Sequence, residues 1–366
     1  MPAEGPGRAP AEGPGRAVVV GTGLMGGSMG LALRSRGWHV AGVDSDPGRA
    51  GRALALGAVD AQGFDDGADL VVIATPLGSA AGEARKALSR VGPGAVVTDM
   101  AGVKAPVVAE VTDRRFVGGH PMAGSEQEGL DGSDADLFNG ATWVLTPTAL
   151  TDPLAFARLR AVLCSIGAEV VAIPPERHDS LVAVVSHVPH LVAASLVRLA
   201  SAGAEEHASL LRLAAGGFRD MTRVASGHPA IWPDVCAANA GAITEALDAL
   251  TGLLGDVRAL VDAGDRRALY DLLERAREDR RSLPRAAPVP EELAEVRIPV
   301  ADRPGALAEV TTLAGEMGVN IFDLEIAHSA EGDRGVLILV VDAGSAEPIR
   351  EALSARGMHP ALRRLA

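Results

Sequence analysis

Short apolar runs, many of them rich in valine, alternate with helical stretches over the first half of the chain. The runs predicted to be β-strands are 17–21, 39–44, 69–75, 95–99, 115–119, 142–146 and 169–173. Near-continuous apolar strands that alternate with helices are typical of a parallel sheet covered on both faces. Residues 17–174 are therefore predicted to form an α/β domain with a doubly wound parallel sheet.

The strand pattern then stops, and helical periodicity continues to about residue 283. Alanine, leucine and arginine recur there at the 3.6-residue spacing of an α-helix. Because these helices are more apolar than a solvated bundle requires, we expect an all-helical domain over 175–283 that also associates with a second copy. The most apolar stretch, 180–197, contains two histidines and a proline, which favours a buried helix over a membrane span.

Closely spaced prolines mark the next boundary, since proline disfavours both helix and sheet. Residues 284–293 are therefore interpreted as a stiff linker. The elements predicted beyond it are strand 294–300, helix 304–318, strands 320–329 and 334–342, helix 347–357 and strand 359–364. This βαββαβ order predicts a small ferredoxin-like α+β domain over 294–366.

An eight-residue repeat rich in proline and glycine opens the chain, at 2–9 and again at 10–17. Such a composition cannot build a core, and no apolar stretch of the kind found in signal peptides accompanies it. Residues 1–16 are therefore expected to be a disordered leader.

Composition narrows the choice of partners. The 366-residue chain has a formal net charge of −13 and only 3% aromatic residues, whereas nucleic-acid-binding surfaces are basic and rich in stacking side chains. Its two cysteines, Cys164 and Cys236, are far apart in sequence, so neither a disulfide framework nor a metal cluster is expected. The sequence favours a cytoplasmic protein with a small-molecule substrate and no nucleic-acid, membrane or metal partner.

A glycine-rich turn follows the first predicted strand and begins a helix. Its sequence is Gly21-Thr22-Gly23-Leu24-Met25-Gly26. In Rossmann-type folds the first glycine of this pattern permits a tight turn, the second lets the backbone approach a pyrophosphate, and the third lets helix and strand pack closely. The N–H groups at the helix start, including those of Leu24 and Met25, are then expected to bind the anion.

An acidic residue stands where this type of fold uses one. Asp44 ends the second predicted strand, eighteen residues after Gly26. Its carboxylate can accept hydrogen bonds from ribose hydroxyls and would repel a 2′-phosphate, so NAD is favoured over NADP as the cofactor. Thr75 and Pro76, at the end of the third predicted strand, are expected to border the nicotinamide, although a simple strand-end turn explains them about as well.

Three further blocks carry candidate chemistry. They are Gly118-Gly119-His120-Pro121-Met122-Ala123-Gly124-Ser125-Glu126, Ser186-His187-Val188-Pro189-His190, and Gly216-Gly217-Phe218-Arg219-Asp220-Met221-Thr222-Arg223, which Trp232 follows. A histidine at the end of a parallel strand lies at the sheet edge where such folds bind ligands, so His120 is the candidate proton acceptor. The guanidinium of Arg223 can bind a carboxylate through two parallel N–H groups.

With the glycine-rich turn before them, these blocks resemble the prephenate and arogenate dehydrogenase family of tyrosine biosynthesis, over residues 17 to about 283. The resemblance implies NAD-dependent oxidative decarboxylation of a cyclohexadienol by a homodimer. It matches His120 to the catalytic base and Arg223 to the arginine that holds the ring carboxylate. The other residues that it places around the substrate are Ser125, Glu126, His190, Gly216 and Trp232, the tryptophan coming from the neighbouring subunit.

The last domain resembles an ACT domain, a family of small modules that bind amino acids. Asp302, Gly305 and Asn320 match the positions at which ACT domains bind them. We expect L-tyrosine to be the effector and to lower activity, because backbone N–H groups at the helix start after Gly305 suit a carboxylate.

The chain departs from the family at one position. Many relatives carry a serine beside the catalytic histidine, in an Asp-x-x-Ser-Val-Lys loop, where this chain has Asp99-Met100-Ala101-Gly102-Val103-Lys104. Gly102 has no hydroxyl to donate to the substrate or to the imidazole. A reduced rate or an altered selectivity is therefore expected, since one orienting hydrogen bond contributes about 1–3 kcal/mol.

Alternatives stay open on the sequence. Prephenate has a keto acid side chain and arogenate has an amino acid side chain in the same place. No residue of the sequence decides which of the two is the preferred substrate. A non-catalytic sensor of NAD and an amino acid is an alternative of another class, although His120 and Arg223 argue against it. A β-hydroxyacid dehydrogenase is excluded, because that class uses a lysine on the first helix of its second domain and this chain has none after Lys104.

Two residue-level alternatives also remain. His187 and His190 have the spacing of a metal-binding pair, but no third ligand accompanies them, and helix packing is the favoured role for His187. For Trp232, a plain core position is the alternative to substrate contact.

Overall fold

The computed structural model describes residues 15–124, 129–206, 216–227, 229–282, 293–301, 303, 305–328 and 334–364. These residues fall into two compact units, 1–256 and 257–366. Nearly all of the expected leader and linker lies outside the described residues. At their ends, Arg16 already belongs to the first strand of the first unit and Leu293 to the first strand of the ferredoxin-like domain.

An eight-stranded sheet forms the centre of the first unit. Its strands are Arg16–Val20 (β1), His39–Val43 (β2), Ala61–Gln62 (β3), Leu70–Ile73 (β4), Val96–Asp99 (β5), Phe116–Pro121 (β6), Thr142–Thr146 (β7) and Glu169–Ala172 (β8). The strand order is β3-β2-β1-β4-β5-β6-β7-β8. All seven predicted strands form within two residues of their expected ends, and β3 is an additional one.

The sheet is parallel over its first six strands, as predicted, and mixed beyond them. β7 pairs antiparallel with β6, with His120 opposite Val144, and β8 is parallel to β7. A parallel return would need a crossover segment, usually a helix. The described part of the β6–β7 connection contains only the single 3₁₀ turn Leu130–Gly132, so the chain reverses direction there.

Helices cover both faces of this sheet. They are Leu24–Ser35 (α1), Pro47–Ala55 (α2), Leu77–Arg90 (α3), Ala105–Glu110 (α4) and Pro153–Ser165 (α5). One buried cluster includes Leu33 and Trp143, and a second includes Ala84 and Phe116. The two cores confirm the doubly wound arrangement, and they hold the carboxyl ends of β1, β4 and β5 at one edge.

Beyond β8, the described residues of the first unit are mainly helical, as predicted. Its helices are Pro175–Val182 (α6), Val188–Glu206 (α7), Gly216–Thr222 (α8), Trp232–Ala238 (α9) and Ala240–Ala263 (α10), the last of which runs into the second unit. A π-helical turn, Ala183–His187, joins α6 to α7, with the N–H of Val188 bonded to the carbonyl of Ala183. It ends two residues before Pro189, whose ring would meet the carbonyl of Val185 in a regular α-helix.

One helical run of the described residues, 175–202, is long and apolar enough to cross a membrane by length and composition alone. Core helices of soluble proteins pass the same test. In this chain the run carries buried polar side chains at positions 178, 179 and 187.

The second unit contains Arg266–Ser282 (α11) and a βαββαβ domain. The elements of that domain are Leu293–Ala301 (β9), Ala306–Glu316 (α12), Ile321–His328 (β10), Arg334–Asp342 (β11), Ala343–Ala355 (α13) and Ala361–Arg364 (β12). Its antiparallel sheet has the order β10-β11-β9-β12, which confirms the ferredoxin-like prediction. α13 begins earlier than predicted because the carboxylate of Asp342 accepts a hydrogen bond from the N–H of Gly344 at 2.8 Å.

Candidate active site

The glycine-rich turn between β1 and α1 is sterically constrained at two positions and open at a third. Gly21 has φ +94°, and a Cβ there would lie 2.5 Å from the carbonyl oxygen of Ala74. A Cβ on Gly26 would collide with the carbonyl oxygen of Gly21. A Cβ on Gly23, by contrast, would meet nothing within 4 Å. The turn therefore leaves an open space at the N-terminus of α1, directly before Leu24 and Met25, that fits a phosphate group.

Asp44 lies beside this turn, just beyond the end of β2. Its carboxylate accepts hydrogen bonds from the backbone N–H of Thr22 at 2.8 Å and from that of Asp46 at 3.0 Å. It also accepts one from the guanidinium of Arg49 at 3.4 Å. Burial raises the pKa of this carboxyl, but the hydrogen bonds and Arg49 outweigh that effect and hold the pKa below its usual value. Asp44 is therefore ionised next to the glycine-rich turn, where a ribose would lie.

Thr75 carries a buried hydroxyl with no hydrogen-bond partner among the described residues. It follows β4, and the next residue, Pro76, precedes α3. An unpartnered buried hydroxyl is rare in folded proteins, because it loses its hydrogen bonds to water. Together with the space at Gly23 and the ionised Asp44, it gives a set of groups that fits a dinucleotide.

His120 lies on β6 and is partly buried. Its Nδ1 is 2.8 Å from Nε2 of His178 on α6, and the two rings meet edge to face. On the other side of the ring, a Cβ added to Gly102 would lie 3.7 Å from Nε2. Gly102 is thus directly beside the imidazole, at the position that the resemblance matches to a serine in many relatives.

Burial lowers the pKa of His120 well below its usual value, and the neighbouring basic side chains of Lys104, His178 and His187 lower it further. His120 is consequently neutral at physiological pH. A neutral imidazole at the carboxyl edge of the sheet is a competent proton acceptor.

His178 and Asp179 were not predicted from the sequence. His178 is 1% exposed, and its Nδ1 lies 2.8 Å from a carboxylate oxygen of Asp179. Asp179 also accepts the backbone N–H groups of Lys104 and Ala105, both at 2.8 Å. The available signal was an adjacent histidine–aspartate pair at the start of the helical segment, which belongs to none of the three blocks.

A buried ion pair holds the loop that carries Gly102. Lys104 is fully buried; its Nζ pairs with the carboxylate of Asp99 and donates to the carbonyl of Gly119 at 2.7 Å. Asp99 in turn accepts the N–H of Ala101 at 3.0 Å. Burial lowers the pKa of Lys104, while the adjacent Asp99 opposes that shift. These contacts fix the ends of β5 and β6 relative to each other.

Two further histidines lie on the helical side. The amide nitrogen of Asn239 donates to the carbonyl of Asp179 at 2.8 Å and lies 3.2 Å from Nδ1 of His187. The ring of His190 stacks on Trp232 of the same chain, with centroids 3.7 Å apart and planes 16° from parallel. His187 thus packs within the helices, as expected, and the stacking engages one face of the His190 ring.

The remaining predicted substrate residues are distributed as follows. Arg223 begins a 3₁₀ turn, Arg223–Ser226, that packs against α7, the helix of His190, and Gly216 begins α8. Ser125 and Glu126 lie outside the described residues. The convergence of Arg223 and His120 on one substrate stays a prediction.

In the ACT-like domain, Gly305 has φ +88° and precedes α12, while Asn320 follows that helix. Asp302 lies outside the described residues. The two described positions are separated by the length of α12, roughly 16 Å at 1.5 Å per residue, so they do not line one site within a single domain.

Family models match three consecutive segments of the chain. The nucleotide-binding domain of prephenate dehydrogenase matches residues 29–172, its dimerization domain matches 174–275, and an ACT domain matches 294–357. The prephenate dehydrogenase of Bacillus subtilis (strain 168) is 34% identical over 333 residues, which is 87% of this chain and 89% of that protein.

Solved structures give the same result. A prephenate dehydrogenase from A. aeolicus, crystallised with hydroxyphenyl propionate and NAD+, aligns with TM-score 0.69 and 30% identity over 74% of this chain and 98% of that one. An arogenate dehydrogenase from Synechocystis aligns with TM-score 0.64 and 33% identity over 72% and 98%. The chain therefore belongs to the prephenate dehydrogenase family and ends in an ACT domain.

Proposed function

We propose that this protein is a prephenate dehydrogenase that uses NAD+ to convert prephenate into 4-hydroxyphenylpyruvate, a step of tyrosine biosynthesis. The observation that carries the proposal is the neutral His120, partly buried at the carboxyl edge of the sheet that also bears the glycine-rich turn. One half of the proposed site therefore offers a dinucleotide cradle and a proton acceptor, which are the two functions that oxidation of an alcohol requires.

The dinucleotide would be held by the glycine-rich turn, by Asp44 at a ribose, and by the hydroxyl of Thr75 and by Pro76 near the nicotinamide. When bound, NAD+ supplies the hydride acceptor for the hydroxyl-bearing ring carbon. The ionised Asp44 favours NAD+ over NADP+, because a 2′-phosphate would lie against its negative charge.

His120 acts as the general base. As the hydroxyl-bearing carbon acquires carbonyl character, its hydroxyl proton passes to Nε2 of His120, the nitrogen on the Gly102 side. Loss of the ring carboxylate as carbon dioxide then makes the ring aromatic. The neutral state of His120 is essential to this role, since an imidazolium has no lone pair to accept the proton.

Arg223 binds the ring carboxylate and orients the substrate. Because this carboxylate loses its charge in the transition state, a strong ion pair to it would slow decarboxylation, so Arg223 contributes affinity more than barrier lowering. Ser125, Glu126, His190, Gly216 and Trp232 are proposed to complete the substrate pocket. The stacking of His190 on Trp232 supports a shared position for these two rings within one chain.

The direct test is NADH absorbance on adding prephenate or arogenate, with NAD+ and NADP+ compared in parallel. We expect activity with prephenate and NAD+, loss of most activity in His120→Asn, and a raised KM with nearly unchanged kcat in Arg223→Lys. Absence of NADH formation with both substrates would contradict the proposal and favour a sensor. A higher kcat/KM for arogenate would instead make the protein an arogenate dehydrogenase, the activity named for the Synechocystis structure.

A homodimer assembled through 175–283 is part of the proposal. The match to a dimerization domain supports it, as do large apolar side chains left exposed on these helices, among them Leu199, Leu253 and Leu254. We further propose that 17–174, 175–283 and 294–366 act as nucleotide-binding, substrate and regulatory domains.

Tyrosine is proposed as the effector of the ACT domain. Since Gly305 and Asn320 lie at opposite ends of α12, one ligand would touch both positions only if a second ACT domain brought its own copy of one of them nearby. Titration of the full chain with L-tyrosine should therefore lower activity, and Gly305→Val should weaken the inhibition, because its φ of +88° is strained for a β-branched residue. Equal inhibition of both proteins would contradict this site.

A further inference from the structure

Three side chains lie in one hydrogen-bonded line from the sheet to the first helix of the helical segment. His120 Nδ1 is 2.8 Å from His178 Nε2, and His178 Nδ1 is 2.8 Å from a carboxylate oxygen of Asp179. We infer that His178 and Asp179 form a relay that sets the tautomer of His120 and receives the proton displaced from its Nδ1. The inference rests on the proposed role of His120 as base and adds two residues that act through it.

The tautomers follow from the acceptor at the end of the line. Asp179 accepts backbone N–H groups from Lys104 and Ala105, which marks it as an ionised carboxylate with no proton to donate. Nδ1 of His178 must then carry the proton that lies between them. Its Nε2 is left as an acceptor, so Nδ1 of His120 is the donor. The lone pair of His120 is consequently on Nε2, the side that Gly102 leaves open.

The charges around His120 favour transfer of a proton from His120 to His178. Lys104 and His187 are the other basic groups that act on His120, and the nearby Asp99 is already paired with Lys104. Positive charge on His120 is therefore disfavoured, whereas positive charge on His178 lies against Asp179. The relay lets the charge formed by proton uptake move one ring away from the substrate.

The step balances without another reactant. The substrate O–H bond breaks and an N–H bond forms at Nε2 of His120. The Nδ1–H bond of His120 then breaks and an N–H bond forms at Nε2 of His178, so a His178 imidazolium remains hydrogen-bonded to the Asp179 carboxylate. The line resets for the next turnover when Nε2 of His120 releases one proton to solvent and the proton on Nε2 of His178 returns to Nδ1 of His120.

Two substitutions at 178 separate orientation from proton uptake. Glutamine can accept the Nδ1–H of His120 through Oε1 but cannot take the proton, whereas methionine can do neither. We expect H178Q to lower kcat for prephenate roughly 10- to 100-fold with KM within about twofold, and H178M to lower kcat further. Full rescue of kcat by glutamine would overturn the proton-accepting part of the relay.

A double-mutant cycle tests whether His178 acts through His120. In a His120→Asn background, H178Q should change kcat less than about twofold, because the group that it serves is already lost. Equal effects in both backgrounds would overturn the inference. Thermal melting and NAD+ binding of each variant identify loss of fold, and H178Q, which keeps a polar side chain, stays informative where H178M is unstable.

A substrate-free measurement separates this inference from the proposed function. In a ¹⁵N-histidine spectrum of the full chain, with His120 assigned through His120→Asn, His120 should appear as the Nδ1–H tautomer at neutral pH. An Nε2–H tautomer would overturn the relay whatever the activity. If the wild-type enzyme oxidises neither prephenate nor arogenate, the proposed function fails while the spectrum still decides the tautomer.

Discussion

The protonation state of one imidazole controls the proposed chemistry at the residue scale. The pKa of His120 lies well below its usual value of 6.5, so the neutral, active form persists below neutral pH. Activity should therefore stay level as pH falls through the ordinary histidine range and decline only when pH reaches the lowered pKa. The pH profile of kcat/KM measures this directly.

The matching variant is His120→Asn, which keeps a polar side chain but has no titrating nitrogen. We expect it to lower kcat roughly 10²- to 10⁴-fold and to remove the acid limb that His120 causes. An acid limb at the same pH in the variant would assign the titration to another group. Above the usual pKa of 6.5 both proteins should show pH-independent kcat/KM until a different group titrates.

Gly102 offers a second prediction at this scale. A Cβ there would lie 3.7 Å from Nε2 of His120, an ordinary contact, so a serine fits without displacing the ring. Gly102→Ser should raise kcat/KM for prephenate about 5- to 10-fold, which corresponds to one hydrogen bond of about 1 kcal/mol. Gly102→Ala is the control, because it fills the same space without a hydroxyl. An equal gain from both would attribute the effect to packing.

The chain's two lysines make a matched pair for stability. Lys104 is fully buried against Asp99, whereas Lys86 is exposed and pairs with Glu83 on α3. Lys104→Met leaves the Asp99 carboxylate buried and unpaired, which should lower the free energy of unfolding by about 3–5 kcal/mol. Lys86→Met should change it by less than about 1 kcal/mol, as exposed pairs contribute little. Urea unfolding of both variants tests the difference.

The glycine-rich turn contains two glycines with opposite requirements, which is a prediction at the scale of an element. Gly26→Ala should destabilise the protein by about 1–3 kcal/mol, because its Cβ would collide with the carbonyl oxygen of Gly21. Gly23→Ala should leave the melting temperature unchanged and weaken NAD+ binding about tenfold or more, since its Cβ would occupy the phosphate space. Melting curves and NAD+ titrations distinguish them, and unchanged NAD+ affinity in Gly23→Ala would contradict the cradle.

Elements with a strong apolar period were predictable from the sequence, and those set by long-range pairing were not. The buried strands β1, β4 and β5 contain runs of consecutive valines and other apolar residues, so they stand out in the sequence. β3 has only two residues, one of them Gln62, and carries no such signal. The reversal at β7 depends on how the chain returns from β6, which a strand's own composition does not encode.

In the candidate site, too, some residues were predictable from the local sequence and others depend on long-range packing. The glycine turn, Asp44 and His120 follow predicted strands, so their place at the sheet edge could be derived from the sequence. His178 reaches His120 across 58 positions, and only the packing of α6 against the loop at Lys104 brings the two rings together. The π-helical turn before Pro189 was equally hidden, because its hydrogen-bond shift leaves no periodic trace over five residues.

At the scale of the whole molecule, the helices in the segment that matches a dimerization domain leave large apolar side chains uncovered in a single chain. On α10, Leu253 is 61% and Leu254 58% exposed, and Ile243 is the only residue described as buried in that helix. A helix with so little burial gains most of its stability from a partner. We therefore expect the family's dimer interface to cover this face of α10.

Leu254→Glu places a charge on that face and should convert the dimer to a monomer in sedimentation velocity, because burying an unpaired carboxylate costs several kcal/mol. Leu150→Glu is the matched control, because Leu150 is 60% exposed but lies before α5 in the nucleotide-binding part. The Leu150→Glu protein should therefore keep the oligomeric state of the wild type. If the neighbouring subunit contributes to the substrate pocket, kcat falls with the dimer in Leu254→Glu and not in the control. A monomeric wild-type protein, or a dimer that survives Leu254→Glu, would exclude α10 from the interface.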